Sequence, residues 1–143
     1  MNRLTMMELA ANGMPRNIHN KNQGPYKRVL CVCMGGLLRS PTLAWLLSQP
    51  PYKCNTRAAG IDPAYSLIDV TPKLLEWADE IICFEREHQS RLLAMCSAKP
   101  VTCLDIGDWY AYRDERLIGE IIRKLAATDF SSRLDGHNFK HKL

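Results

Sequence analysis

Residues 28–33 read RVLCVC: one arginine, then five apolar side chains with no polar alternation among them. A strand with one face in water alternates, whereas an unbroken apolar run suits a strand covered on both faces, the usual condition inside a parallel sheet. Parallel strands are not joined by tight turns; they need crossover connections, most often helices. This one run therefore asks for a sheet with helices on both sides. The residues after it fit, because Gly35 and Gly36 make a turn and Ser40-Pro41 reads as a helix start. Serine is a good N-cap and proline suits the first helical position. Leu43, Leu46 and Leu47 then supply an apolar face.

The same alternation continues along the chain. Residues 56–61 read as a second strand, weakened by small side chains, and Thr71-Pro72 repeats the cap-then-proline signature ahead of Leu74, Leu75 and Ala78. Residues 80–84 (EIICF) make a third strand, 87–96 a helix and 101–104 a fourth strand. Asp114 then caps a last helix with Leu117, Ile118, Ile121, Ile122 and Leu125 at helical spacing. Strands that alternate with helices predict an α/β three-layer sandwich, a four-stranded parallel sheet with helices on both faces. In such a sheet the binding crevice lies beyond the carboxyl ends of the strands, where the first strand meets its glycines.

With 143 residues, 46% of them hydrophobic and 24% charged, the chain is long enough for one domain with its own core. That domain is expected over 28–127, after a turn-rich N-terminal extension (1–27, partly flexible) and before a C-terminal tail (128–143). The net charge of +4 comes from scattered sites apart from Lys140-His141-Lys142, which argues against a nucleic-acid partner. No apolar stretch approaches a membrane span, and the N-terminal residues lack the apolar run of a secretory signal, so a cytoplasmic location is expected. The six cysteines include no Cys-x-x-Cys pair and no neighbouring histidine cluster. Reduced thiols are expected, with no metal and no cofactor. The histidines, His88 among them, read as surface residues.

Cys33 ends the first strand, and its placement is chemically suggestive. A thiol attacks only as thiolate, and a helix amino end supplies partial positive charge and unpaired N–H groups. The N–H groups of Met34, Gly35, Gly36, Leu37 and Leu38 can converge into a nest for a phosphate or a thiolate. Arg39 lies where its planar fork returns to the same centre. Ser40 either caps the helix or gives its hydroxyl proton to the thiolate. The Cys-x5-Arg spacing alone is weak; the strand before it, the glycines within and the helix start after it give it weight.

VLCVCMGGLLRSP resembles the phosphate-binding loop of the low-molecular-weight protein tyrosine phosphatases, whose signature is Cys-x5-Arg-Ser-Pro after a first strand. Further segments run in family order over about residues 28–127: RAAG (57–60), LLEWADEIICFEREHQSRL (74–92) and LDIGDWY (104–110). The shorter, predicted-phosphatase branch is the nearest likeness. The resemblance implies a phosphotyrosine protein phosphatase I-like fold and metal-independent hydrolysis of phosphotyrosine, or of small aryl phosphates, through a cysteinyl-phosphate on Cys33. Two departures stand out. Gly36 occupies the position of the family's loop asparagine, and Leu38 that of a second, protective cysteine.

The leaving oxygen needs a proton, and Asp105, Asp108 and Asp114 crowd the region where the family keeps its acid. Asp114 is wanted as a helix cap, and Asp105 directly ends the fourth strand. Asp108, in a loop that resembles the family's Asp-Pro-Tyr segment, is the favoured general acid. Asp62-Pro63 reads as a plain turn. Trp109 and Tyr110 either wall the mouth of a substrate pocket or pack beneath the loop, as does Tyr112. A thiol-linked arsenate reductase of the same fold, using Cys83 or Cys96 as resolving thiol, and a non-catalytic phosphate-binding module are the competing readings.

Overall fold

A computed structural model describes residues 26–133 apart from Leu67 and Ser97. The expectations for 1–25 and 134–143 lie outside the described residues. Four strands form one parallel sheet: β1 (Arg28–Cys33), β2 (Asn55–Gly60), β3 (Glu80–Cys83) and β4 (Val101–Cys103), in the order β2-β1-β3-β4. Five helices accompany them: α1 (Arg39–Ser48), α2 (Pro72–Trp77), α3 (Arg86–Met95), α4 (Glu115–Ala126) and α5 (Phe130–Arg133). None of these helices is long and apolar enough to cross a membrane.

β1, apolar from Val29 to Cys33, sits in the interior of the sheet, as its composition requires. Val29, Cys31 and Cys33 point to one face, where they pack with Ile82, Phe84 and the apolar sides of α1, α4 and α5. Leu30 and Val32 point to the other, against Ile81, Cys83, Leu75 of α2 and Leu92 of α3. The sandwich therefore has three layers, with an apolar core on each side of the sheet.

The chain steps from β1 to β2 on one side and then crosses to β3 on the other, which makes the gap between β1 and β3 the topological switch point. Such a point opens a crevice beyond the strand ends. Cys33 ends β1 and Glu85 follows β3, so the two stand on either side of that crevice.

The local signals hold with one exception. Thr71 caps α2 by accepting a hydrogen bond from the Leu74 N–H at 3.2 Å. Asp114 caps α4 by accepting from the Arg116 N–H at 2.9 Å. Ser40, read as an N-cap, is not one: α1 begins at Arg39 and Leu38 is its N-cap, with no side-chain hydrogen bond. The serine hydroxyl is used elsewhere. Packing also reaches into the stretches read as extension and tail. Lys27 is buried against Glu80, and Phe130 is fully buried in the core beside α4.

Candidate active site

Cys33 is almost fully buried, and its Sγ accepts a hydrogen bond from the Gly36 N–H at 3.2 Å. The Ser40 hydroxyl lies 3.2 Å from the same sulfur. Ser40 thus stands at the thiol, one of its two predicted uses.

Loop 34–38 owes its shape to glycines on two segments. Gly36 has φ +69, and a Cβ there would come within 2.5 Å of the Ala59 carbonyl carbon and 2.6 Å of the Gly60 nitrogen. At Gly60 a Cβ would stand 2.6 Å from the Gly35 carbonyl carbon. The small residues that weakened β2 as a strand signal are therefore what lets the loop settle on it. Two backbone bonds fasten the loop's start: Ile61 N–H to Cys33 O at 2.9 Å and Asp62 N–H to Met34 O at 3.0 Å. Asp62 closes a turn through its carboxylate and the Ala64 N–H, so Asp62-Pro63 is turn chemistry as read. Met34 is exposed at the loop's tip, while Leu37 and Leu38 are buried. Leu38, at the family's second cysteine position, is a core side chain.

Arg39 is fully buried, which is costly unless its charge is matched. Its Nη1 donates to the Ile106 carbonyl at 2.8 Å and its Nη2 to Glu85 Oε2 at 2.9 Å. Its Nε lies 3.4 Å from Asp108 Oδ1, and the guanidinium rests over the Phe84 ring at 5.6 Å. Of the five guanidinium hydrogens, one on each Nη and the one on Nε make no hydrogen bond. Asp108 is thus brought to the arginine. Asp105 is exposed with φ +56, its carbonyl takes the Lys124 ammonium, and it lines the cavity that Glu85 and Ile106 also border. Asp114 is engaged by Arg116, whose hydrogen bonds hold its carboxyl below the usual range.

Glu85 and His88 were not legible as site residues. Glu85 is a strand-end acid like several others in sequence, and only the register of β3 beside β1 sets it against Arg39. His88, expected at the surface, is 3% exposed and lies under Glu85, with Nε2 3.8 Å from Oε2. It turns inward because α3 packs that side onto the sheet. Burial lowers its basicity; Glu85 and Glu87 oppose that effect while Arg39 and Arg91 add to it.

Trp109 stands mostly exposed over Gly107, and Tyr110 is partly buried against the core, their ring centroids 6.3 Å apart. Both line a cavity of about 350 Å³ that also touches Glu85 and Ile106, the two groups holding Arg39.

The chain's fold is that of a known phosphatase structure. Aligned with a solved structure described as that of a protein tyrosine phosphatase, it has a TM-score of 0.54 at 18% identity, over 80% of this chain and 99% of the other. No family model matches the chain, and no curated protein matches it.

The remaining thiols fall into place around this fold. All six cysteines are free. Cys31 and Cys54 share the core of Cys33; burial pushes the Cys31 thiol up, and takes that of Cys54 to about 12. Cys83 belongs to the opposite core, with Cys96 and Cys103 packed against the same cluster, and burial raises its thiol too. The sheet stands between these three and Cys33.

Proposed function

We propose that the protein is a metal-independent phosphatase of the low-molecular-weight protein tyrosine phosphatase kind, in the shorter branch of that family, acting in the cytoplasm on phosphotyrosine or small aryl phosphates. What supports this reading is a hydrogen-bonded thiol at the end of β1 together with, six positions on, an arginine clamped by Glu85 and approached by a half-exposed carboxylate. The loop residues, the order of the acid after the cysteine and the likeness in fold point the same way.

In the first step the Cys33 thiolate attacks phosphorus as the bond to the leaving aryl oxygen breaks. The loop N–H groups and the unengaged Arg39 hydrogens take the equatorial oxygens, and the arginine stabilises the charge that spreads over them. Asp108 gives its proton to the departing phenolate. In the second step the Asp108 carboxylate takes a proton from water, which attacks phosphorus, breaks the P–S bond and releases inorganic phosphate. Ser40 supports the thiolate as a nucleophile and again as a leaving group. A phosphate oxygen at Nε would compete with Asp108, whose 3.4 Å approach is longer than a good hydrogen bond.

Turnover of para-nitrophenyl phosphate in the presence of a chelator tests the activity. Cys33→Ser should still bind phosphate and turn over nothing, and Asp108→Ala should accumulate a trapped cysteinyl-phosphate. Hydrolysis by Cys33→Ser defeats the mechanism, while phosphate binding by the wild-type protein with no hydrolysis of any aryl phosphate makes it a binding module. The reductase reading has no observation in its favour, because its candidate resolving thiols lie across the sheet.

A further inference from the structure

We infer that the Thr42 hydroxyl is a positioning group that joins the phosphate loop to the segment carrying Asp108. The inference rests on the reading of Asp108 as the general acid. Thr42 lies in the first turn of α1 and is fully buried. Its Oγ1 donates to the Leu38 carbonyl at 2.7 Å, back toward the loop that surrounds Cys33. The same oxygen accepts the Arg113 N–H at 2.9 Å, from a residue 71 positions along the chain.

A helical threonine often bonds the carbonyl four residues back, so the first contact alone would be ordinary. The second is not local, and it falls at the far end of the segment that holds Asp108. That segment is tied at its near end to the sheet, by Leu104 N–H to Cys83 O and Ile106 N–H to Phe84 O, each at 2.9 Å. At the far end Arg113 adopts φ +59 and stacks its guanidinium over Trp45 of α1 at 4.2 Å. Asp108 thus hangs between two anchors, the sheet on one side and Thr42 with Trp45 on the other.

An acid that must reach a leaving oxygen while its partner arginine holds phosphate needs both loops in one frame, since catalysis falls steeply with small misplacements. Thr42 supplies that frame with a single atom, one bond to each loop. Thr42→Val keeps the side-chain shape and deletes both bonds of the hydroxyl. The backbone N–H of residue 42 still reaches the Leu38 carbonyl at 3.2 Å, so the phosphate loop keeps its own tie while Arg113 loses its partner. The phosphate site should therefore survive and the acid should drift.

The test compares kcat/KM on two substrates, para-nitrophenyl phosphate with a good leaving group and phenyl phosphate with a poor one, alongside competitive inhibition by inorganic phosphate. Thr42→Val should lose about three- to tenfold on phenyl phosphate, the range for one lost hydrogen bond. It should lose less than about twofold on the nitrophenyl ester, with phosphate inhibition unchanged, and Thr42→Ser should restore the wild-type pattern. Equal loss on both substrates with weakened phosphate inhibition overturns the inference, because the group would then act on the phosphate loop alone; no loss on either overturns it as well. Asp108→Asn, run in parallel, separates the two ideas. If it does not discriminate between the substrates, the acid assignment fails. In that event a flat Thr42→Val profile overturns the joint too, whereas a selective loss keeps it and gives the proton to another group on the same segment.

Discussion

Gly36 explains at the level of one residue why this loop carries no side chain at its middle. With its φ of +69 and the Ala59–Gly60 backbone pressed against it, the position has no room for any Cβ, let alone an asparagine side chain. Orientation of the loop passes instead to contact with β2. Gly36→Ala should cost about 1–3 kcal/mol of stability and weaken phosphate inhibition, as read by urea denaturation and competition assays. His88 makes a second residue-scale prediction. It is buried and neutral in the fold, and its basicity is held below its ordinary value of 6.5. When the folded state binds a proton less readily than the unfolded state, stability is complete above the unfolded pKa and falls away as pH drops below it. Wild-type stability should therefore decline on acidification from about pH 6.5. His88→Gln should remove that part of the decline, and identical pH profiles for the two proteins would show that the imidazole does not couple to folding.

Among the elements, α1 and α4 show how differently a helix start is used. Asp114 is free to cap α4, and Asp114→Ala should lower stability by about 1 kcal/mol, measured as a shift in denaturation midpoint with unchanged slope. α1 lacks a side-chain cap because Leu38, at its N-cap, has no oxygen to offer, while the Ser40 hydroxyl within the first turn stands at Cys33. β2 shows a trade of its own: Ala58, Ala59 and Gly60 pack less apolar surface than branched residues would, and in exchange loop 34–38 approaches the sheet closely. A weak strand signal is thus one of the elements that shape the site.

For the molecule as a whole, a buried ionic group closes the end of the sheet away from the site. Glu80, at the start of β3, meets Lys27 through one carboxylate oxygen and Arg133 through the other at 2.9 Å, and Lys27 also lies over the Phe130 ring. Removing one member strands a buried charge. Glu80→Ala should cost about 3–5 kcal/mol in chemical denaturation while leaving the phosphate-inhibition constant unchanged in the protein that remains folded. Much of the architecture was legible in sequence, because an unbroken apolar strand, a Thr-Pro start or an Asp cap is decided by neighbours a few residues away. Cys33, Arg39 and Ser40 were legible for the same reason, as they share one strand-to-helix turn. The partners that orient them were not. Glu85 and Ile106 meet Arg39 across 46 and 67 positions, and Arg113 meets Thr42 across 71. Such pairs are chosen by strand order and register, and nothing local distinguishes Glu85 from other strand-end acids; Asp108 stands apart from Asp105 in sequence only by its loop position and its resemblance to an Asp-Pro-Tyr segment. The sequence by itself determined the sheet, its helices and the turn that carries Cys33, Arg39 and Ser40, because these rest on near neighbours; tertiary packing alone decided which carboxylates meet Arg39, because strand order and register bring them there.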